Sequence, residues 1–432
     1  MASSSSSTLL STVIPPAPVF FYKLRSPHVR FASLRHWYSR SEQTLEASEA
    51  RLLSRLAFFT IGGKTVNSPE NSKTLARVGL VDLDGDGMRK INTLVIDQKG
   101  NDFDIDKDGS IDETLNYEQL GFTEIPQTDL KIQSNTTTVD EEKNPSIKNL
   151  VMCHGFGGGL GFFYRNYHGL SQVPGWRIYS IDWLGMGRSS RPQFIIKGKS
   201  VDEYVQETEN FFIESFEKWR KIHKIDKMTL LGHSLGGYLA AVYAIKYPMH
   251  VEKLILVSPV GVPRNPQNDP RYFKDGGRKI PGWIVKLWNA HLTPQLILRW
   301  LGPFGPSLVT KYTAHKFSHL EEIDQLDLHD YLYHISTAAG SGEFAITRIL
   351  EPGAYARKPL IDRLYEIQMP TTFLYGEDDW MDYRAAEEAK DLMRVFVKIE
   401  RVPKAGHHLY LDNPTEFNRL VIKEMLEGSI NN

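Results

Sequence analysis

The chain has a single cysteine, Cys153, among 432 residues. No intramolecular disulfide can form, and a cysteine-built metal site is excluded. An excess of charge of either sign is missing too: the net charge is −1, with 24% of residues charged and 41% apolar. That balance is ordinary for a globular chain and lacks the basic surplus that nucleic-acid binding calls for. Nor does any stretch approach the ~18 consecutive apolar residues of a spanning helix, so any membrane contact is expected to be peripheral.

Acidic residues are absent until Glu42, whereas Lys23, Arg25, Arg30, Arg35 and Arg40 precede it in a serine-rich context. Residues 1–41 therefore read as an organelle-targeting presequence, mitochondrial rather than plastid because the arginines recur regularly. A plain disordered tail has the same composition.

Glu42 to Leu56 is expected to be helical, since Leu45, Leu52, Leu53 and Leu56 recur at three- and four-residue spacing. From about 67 to 149 the texture is acidic and reads as an Asp-rich insert. It is expected to be β-rich: between two similar turns, Asp82–Gly87 and Asp104–Gly109, the stretch INTLVID alternates as a strand would.

After Asn149 short apolar runs alternate with glycine-containing loops and helical stretches. Candidate strands are Leu150–Cys153, Arg177–Ile181, Met228–Leu231, Leu254–Val257, Thr372–Tyr375 and Val395–Arg401. Runs apolar on successive residues suit strands covered on both faces, so a mostly parallel, doubly wound α/β sheet is expected. Between residues 262 and 366 the strand rhythm stops, and a tract with Trp283, Trp288, Trp300 and Phe304 reads as an inserted helical cap.

The strongest chemical signal is MTLLGHSLGGYLAAVYAIKY, where an apolar strand runs through Gly232-His233-Ser234-Leu235-Gly236 into an alanine-rich helix. Gly-x-Ser-x-Gly in this context places a serine on a sharp strand-to-helix turn, the nucleophile elbow of an α/β-hydrolase fold. The helix N-terminus there favours developing negative charge. A second strand ends in His154-Gly155-Phe156-Gly157-Gly158-Gly159, where the Phe156 and Leu235 N–H groups are candidates for an oxyanion hole. The remaining partners are expected in the order Ser, Asp, His. Asp379, just past a strand, is the candidate orienting acid, with Asp378 and Asp382 as alternatives. His407, which directly follows Gly406, is favoured over His408 as the base.

The motifs HGFGGGLGFFYRNYHGL, DWLGMGRSSRP, LLGHSLGGYLAAVYAIKYP, LVSPVGVP, GSGEFAITRILEPGAYARKPLIDRL and AGHHLYLDNP together resemble the lipid-handling α/β-hydrolase-domain group. That group includes the lipid-droplet lipase co-activator, its plant counterparts and a fungal cardiolipin-specific deacylase. The resemblance covers roughly Trp37 to the C-terminus apart from the insert. It implies a triad of Ser234, Asp379 and His407, and a His-x-x-x-x-Asp acyltransferase-type element at His407 and Asp412. It also implies a lipid substrate met at a membrane or lipid-droplet surface, which keeps a cytoplasmic or lipid-droplet location as the alternative to an organelle. The animal co-activator branch has asparagine at the nucleophile position, whereas this chain keeps Ser234. A serine-dependent hydrolase of phospholipids such as cardiolipin is therefore expected. A lysophosphatidic acid acyltransferase using acyl-CoA and a non-catalytic lipase co-activator are the alternatives.

No cofactor is expected to be required for catalysis. Asp82, Asp84 and Asp86, with Asp104, Asp106 and Asp108, match the first half of an EF-hand loop, so calcium is a candidate ligand of the insert. Position twelve is Thr93 or Leu115 where a bidentate Glu would be needed, and a solvated acidic turn is the other reading.

Overall fold

The computed structural model describes residues 41–61, 64–65, 74–98, 147–268 and 280–427. Most of the candidate targeting segment therefore lies outside the described residues, as do Asp104, Asp106 and Asp108. One eight-stranded sheet organises the described chain. In chain order its strands are β1 (Thr74–Asp82), β2 (Lys90–Gln98), β3 (Lys148–Cys153), β4 (Trp176–Ile181), β5 (Met228–His233), β6 (Val251–Val257), β7 (Thr371–Gly376) and β8 (Val397–Val402). Across the sheet they run β8-β7-β6-β5-β3-β4-β2-β1. Strands β3 to β8 pair in parallel; β2 is antiparallel to both β4 and β1.

The inner parallel strands carry successive apolar residues because both faces are covered. Val151 and Cys153 of β3 join one buried cluster, with helices α2 (Val201–Ile222) and α3 (Leu235–Lys246), whereas Leu150 and Met152 join the other. The second face is closed by α1 (Glu42–Leu53) and the C-terminal helix Pro414–Glu427. A capping box between Ser200 and Glu203 starts α2, satisfying its free N–H groups.

Residues 74–98 lie within the expected insert. They form a hairpin that extends the main sheet, with Thr93 to Ile96 of β2 paired to Ile178 to Ile181 of β4. Composition hid this because β1 is an edge strand in which only Ala76 is fully buried, so it lacks an apolar signature.

Between β6 and β7 the chain leaves the sheet and becomes helical, as α4 (Gly282–Asn289), α5 (Pro294–Trp300), α6 (Gly305–Lys316) and α7 (Glu322–Thr337). Helix α7 is bolted to α1 by ion pairs. Arg51 meets Asp327 and Asp330, and Arg55 meets Asp324 at 2.8 Å and Asp327 at 2.6 Å. No helix among the described residues is long and apolar enough to cross a membrane.

Candidate active site

In a sheet of this order the strand sequence reverses direction at β3 and β5, and crevices form beyond the carboxyl ends there. Ser234 sits at that place, between β5 and α3, with φ 54° and ψ −117°. A left-handed conformation at a residue with a Cβ costs on the order of 1–3 kcal/mol and persists only where the surroundings impose it. Here they do. The Ser234 N–H donates to the Val257 carbonyl at 2.9 Å, and its own carbonyl receives the Tyr238 and Val260 N–H groups. The flanking glycines are required by contact: a Cβ on Gly232 would lie 2.3 Å from the Gly236 carbonyl oxygen, and one on Gly236 would lie 2.4 Å from that of His154.

The His407 Nε2 lies 3.0 Å from the Ser234 Oγ, and its Nδ1 lies 3.1 Å from Asp379 Oδ1. With the Nδ1 proton directed at Asp379, Nε2 is left to accept the serine hydroxyl. Asp379 is held in turn. The Met381 N–H donates to Oδ1 at 3.0 Å, and the Ser258 hydroxyl donates to Oδ2. Ser234 and His407 are 7% and 8% exposed, so the pair sits in a cleft that reaches the surface but excludes bulk water.

The alternatives named from sequence are employed elsewhere. The Asp378 side chain lines a cavity beside Gly406, and Asp382 pairs with Arg384, which holds its carboxyl below the usual range. His408 is packed between Phe162 and Phe317, and burial pushes its pKa well down. Asp412 does not touch His407: it accepts the Gly406 N–H at 2.8 Å and meets His319 Nε2 at 3.1 Å, bracing the loop from behind.

The loop after β3 passes directly alongside the serine. A Cβ on Gly155 would fall 2.8 Å from the Ser234 Cβ, which leaves backbone, and Phe156 next in line, against the nucleophile. The Leu235 N–H is the first of α3 and has no intrahelical acceptor. His154 anchors the loop's start: its Nε2 accepts the Trp183 N–H at 3.2 Å, leaving Nδ1–H to donate to the Gly155 carbonyl at 2.8 Å. Burial lowers its pKa, which keeps that neutral tautomer. Asp182 fixes the loop's end by accepting the Leu160 N–H at 2.6 Å.

Two residues at the site lie inside quoted motifs but were given no role from the sequence. Ser258 closes β6 at φ 44° and grips Asp379. His233, the middle residue of Gly232-His233-Ser234, places Nε2 2.8 Å from the His407 carbonyl. Burial holds its pKa well below the ordinary value, so Nε2–H donates and Nδ1 faces the Tyr410 hydroxyl. The only sequence signal for either was position: both stand at the carboxyl ends of adjacent strands.

Arg191 of the GRSSRP turn is engaged by backbone, donating to the carbonyls of Gly185, Gly187, Ile335 and Ala339. The first Asp-rich turn does not offer carboxylates to one point. Asp82 accepts the N–H groups of Asp84, Gly85 and Gly87. Asp84 is taken by Arg89 and Lys218, which hold its pKa at about 2, and Asp86 caps Met88. Among the described residues no cluster of three potential ligands could hold a metal.

A parallel sheet of this order, with a strained serine between β5 and α3 and its partners after β7 and β8, defines an α/β-hydrolase. The chain belongs to the α/β-hydrolase fold family, whose model matches residues 148–414. It is 43% identical over 294 residues to a rice protein named probable 1-acylglycerol-3-phosphate O-acyltransferase, covering 66% of this chain and 69% of that one. A human (lyso)-N-acylphosphatidylethanolamine lipase is 37% identical over 295 residues, 66% of this chain and 81% of its own. Among solved structures, a bacterial membrane phospholipase A superposes with a TM-score of 0.54 at 19% identity, covering 93% of this chain and 96% of that one. The lipid-handling group suggested by the motifs is the group in which these curated relatives fall.

Proposed function

We propose that the chain is a serine-dependent lipid acyl-ester hydrolase acting on phospholipids such as cardiolipin. The observation that carries this is the continuous chain of contacts from Ser234 through His407 to Asp379. Ser234 Oγ attacks the ester carbonyl while His407 Nε2 takes its proton, and the Phe156 and Leu235 N–H groups receive the oxyanion. Collapse breaks the ester bond, and the leaving lysolipid oxygen takes the proton from His407. Water, deprotonated by the same histidine, then attacks the acyl-serine; the fatty acid departs and Ser234 regains its proton. Asp379 stays ionised and stabilises the imidazolium.

A second reading shares the acyl-serine. In it the hydroxyl of a lysophosphatidic acid replaces water and acyl-CoA supplies the acyl group; the name of the rice relative favours it. We also infer that residues 1–41 direct the chain to the mitochondrion, with the plastid as alternative; imaging of a fusion of that segment tests this. Lipid analysis with wild-type and Ser234→Ala protein tests the main reading. Cardiolipin, phosphatidylglycerol and triacylglycerol are offered alone and then with acyl-CoA plus lysophosphatidic acid. Loss of fatty-acid release in Ser234→Ala is expected, and undiminished release refutes the proposal. Phosphatidic acid formed faster than fatty acid selects the second reading.

A further inference from the structure

Helices α5 and α6 of the cap carry a ridge of large apolar side chains turned to solvent. Ile297, Trp300 and Leu301 stand at helical spacing on the last turns of α5, and Phe304, Leu308 and Tyr312 continue it at four-residue steps along α6. Trp300 is 68% exposed, Phe304 73% and Tyr312 53%. With roughly 150–250 Å² per aromatic side chain, these three alone present about 400 Å² of surface. A contiguous exposed patch of that size marks an interaction site on a globular protein.

The segment that carries the ridge has charge of one sign. From Ile280 to Leu320 the sequence contains no Asp or Glu, while it contains Lys286, Arg299, Lys311 and Lys316. Arg299 is matched by Glu343 of the cap, and Lys316 shares a cavity with Asp378 and Asp412. Lys286 and Lys311 are exposed. Exposed Trp and Phe beside lysines, without interspersed acid, complement an interface of acyl chains and anionic headgroups. A protein partner would not require this combination of Trp, Phe and one-signed charge.

The ridge also leads toward the loop that carries His407. One turn beyond Tyr312 on α6 is Lys316, which lines one cavity with Gly406, the residue before His407. A surface covering the ridge would therefore lie beside that loop.

We propose that the α5–α6 ridge docks the protein on an anionic phospholipid bilayer, through Trp300, Phe304 and Leu308 with Lys311 as electrostatic support. The proposal rests on the lipid acyl-ester reading for its purpose, but its test does not.

The full chain is floated with phosphatidylcholine vesicles and with vesicles containing about 20% cardiolipin. Expected is selective binding to the anionic vesicles that weakens with salt. A Trp300→Glu, Phe304→Glu double variant is expected to bind them at least about tenfold more weakly, and Lys311→Glu more weakly at low salt only. Both variants alter exposed side chains, so their melting midpoints stay at the parental value. Turnover of a soluble short-chain ester by them is unchanged, because none of these residues touches Ser234, His407 or Asp379. Undiminished flotation of the double variant refutes the proposal, as does equal binding to both vesicle types. If the parent cleaves no soluble ester, the hydrolase reading fails while the flotation result still judges the ridge.

Discussion

Replacing Ser258 by alanine isolates the support behind the catalytic histidine. Asp379 Oδ1 is held by the Met381 N–H and faces His407 Nδ1, whereas Oδ2 is held by the Ser258 hydroxyl. Without that hydroxyl the carboxylate can pivot about Oδ1, carrying His407 away from the Ser234 Oγ. A hydrogen bond to a charged group contributes about 1.5–3 kcal/mol. Ser258 is fully buried, so the lost bond is not exchanged for one to bulk water and the whole of that range applies. At ~1.4 kcal/mol per tenfold, kcat should fall by about 10- to 150-fold. KM for a soluble short-chain ester should stay within about twofold, because no substrate contact is removed. Ser258→Gly separates hydroxyl from backbone: it loses the same bond but relieves the positive φ of 44°. Both variants should lose kcat alike. A kcat within about twofold of wild type in Ser258→Ala refutes the positioning role, and loss in alanine but not glycine assigns the effect to backbone strain.

Three further outcomes are expected. Gly236→Ala forces a Cβ to 2.4 Å from the His154 carbonyl oxygen, backbone against backbone. It should destabilise the fold by more than about 3 kcal/mol and, at ~2.1 cal/mol/K of unfolding entropy per residue, lower the melting midpoint by at least about 3 °C, read by scanning calorimetry. Burial, the dominant cause, and the charge of Asp182 raise the Glu49 pKa to about 7 against the pull of Arg188. The folded state therefore binds the proton more tightly than the unfolded chain. Glu49 contributes most to stability below pH ~4.5, and the contribution is lost as pH rises to 7, by about 3 kcal/mol. Urea midpoints between pH 5 and 7 should fall with pH in wild type and lose that slope in Glu49→Gln; an unchanged slope refutes the assignment. His233→Phe removes the donor to the His407 carbonyl in a buried setting. It should lower kcat by about tenfold while KM holds, measured on the same soluble ester.

How much of this could be read in the chain follows from where the signals are local. Strands β3 to β7 announced themselves because they are covered on both faces and carry successive apolar residues, whereas β8, at the sheet edge, is only partly buried. Strand β1 did not, since it is an edge strand with only Ala76 fully buried and the acidic Asp82–Gly87 turn dominates the composition, whereas β2 showed in the alternation of INTLVID but its pairing with β4 did not. The serine turn was legible because steric demands at Gly232 and Gly236 restrict residue type within five positions. Ser258 and His233 obey no such local rule. Their partners, Asp379 and His407, lie 121 and 174 residues away, and only the pairing of β5, β6 and β7 brings them together. Lone serines and histidines carry no spacing that would reveal this. What a sequence does state is which strand end a residue occupies. In a parallel sheet all carboxyl ends point to one side, so residues just after β3, β5, β6, β7 and β8 gather on the side of the sheet that holds Ser234. Searching strand ends rather than motifs would have found Ser258, and the same geometry explains why Asp412, a turn beyond its strand-end loop, braces His407 from behind instead of facing the serine.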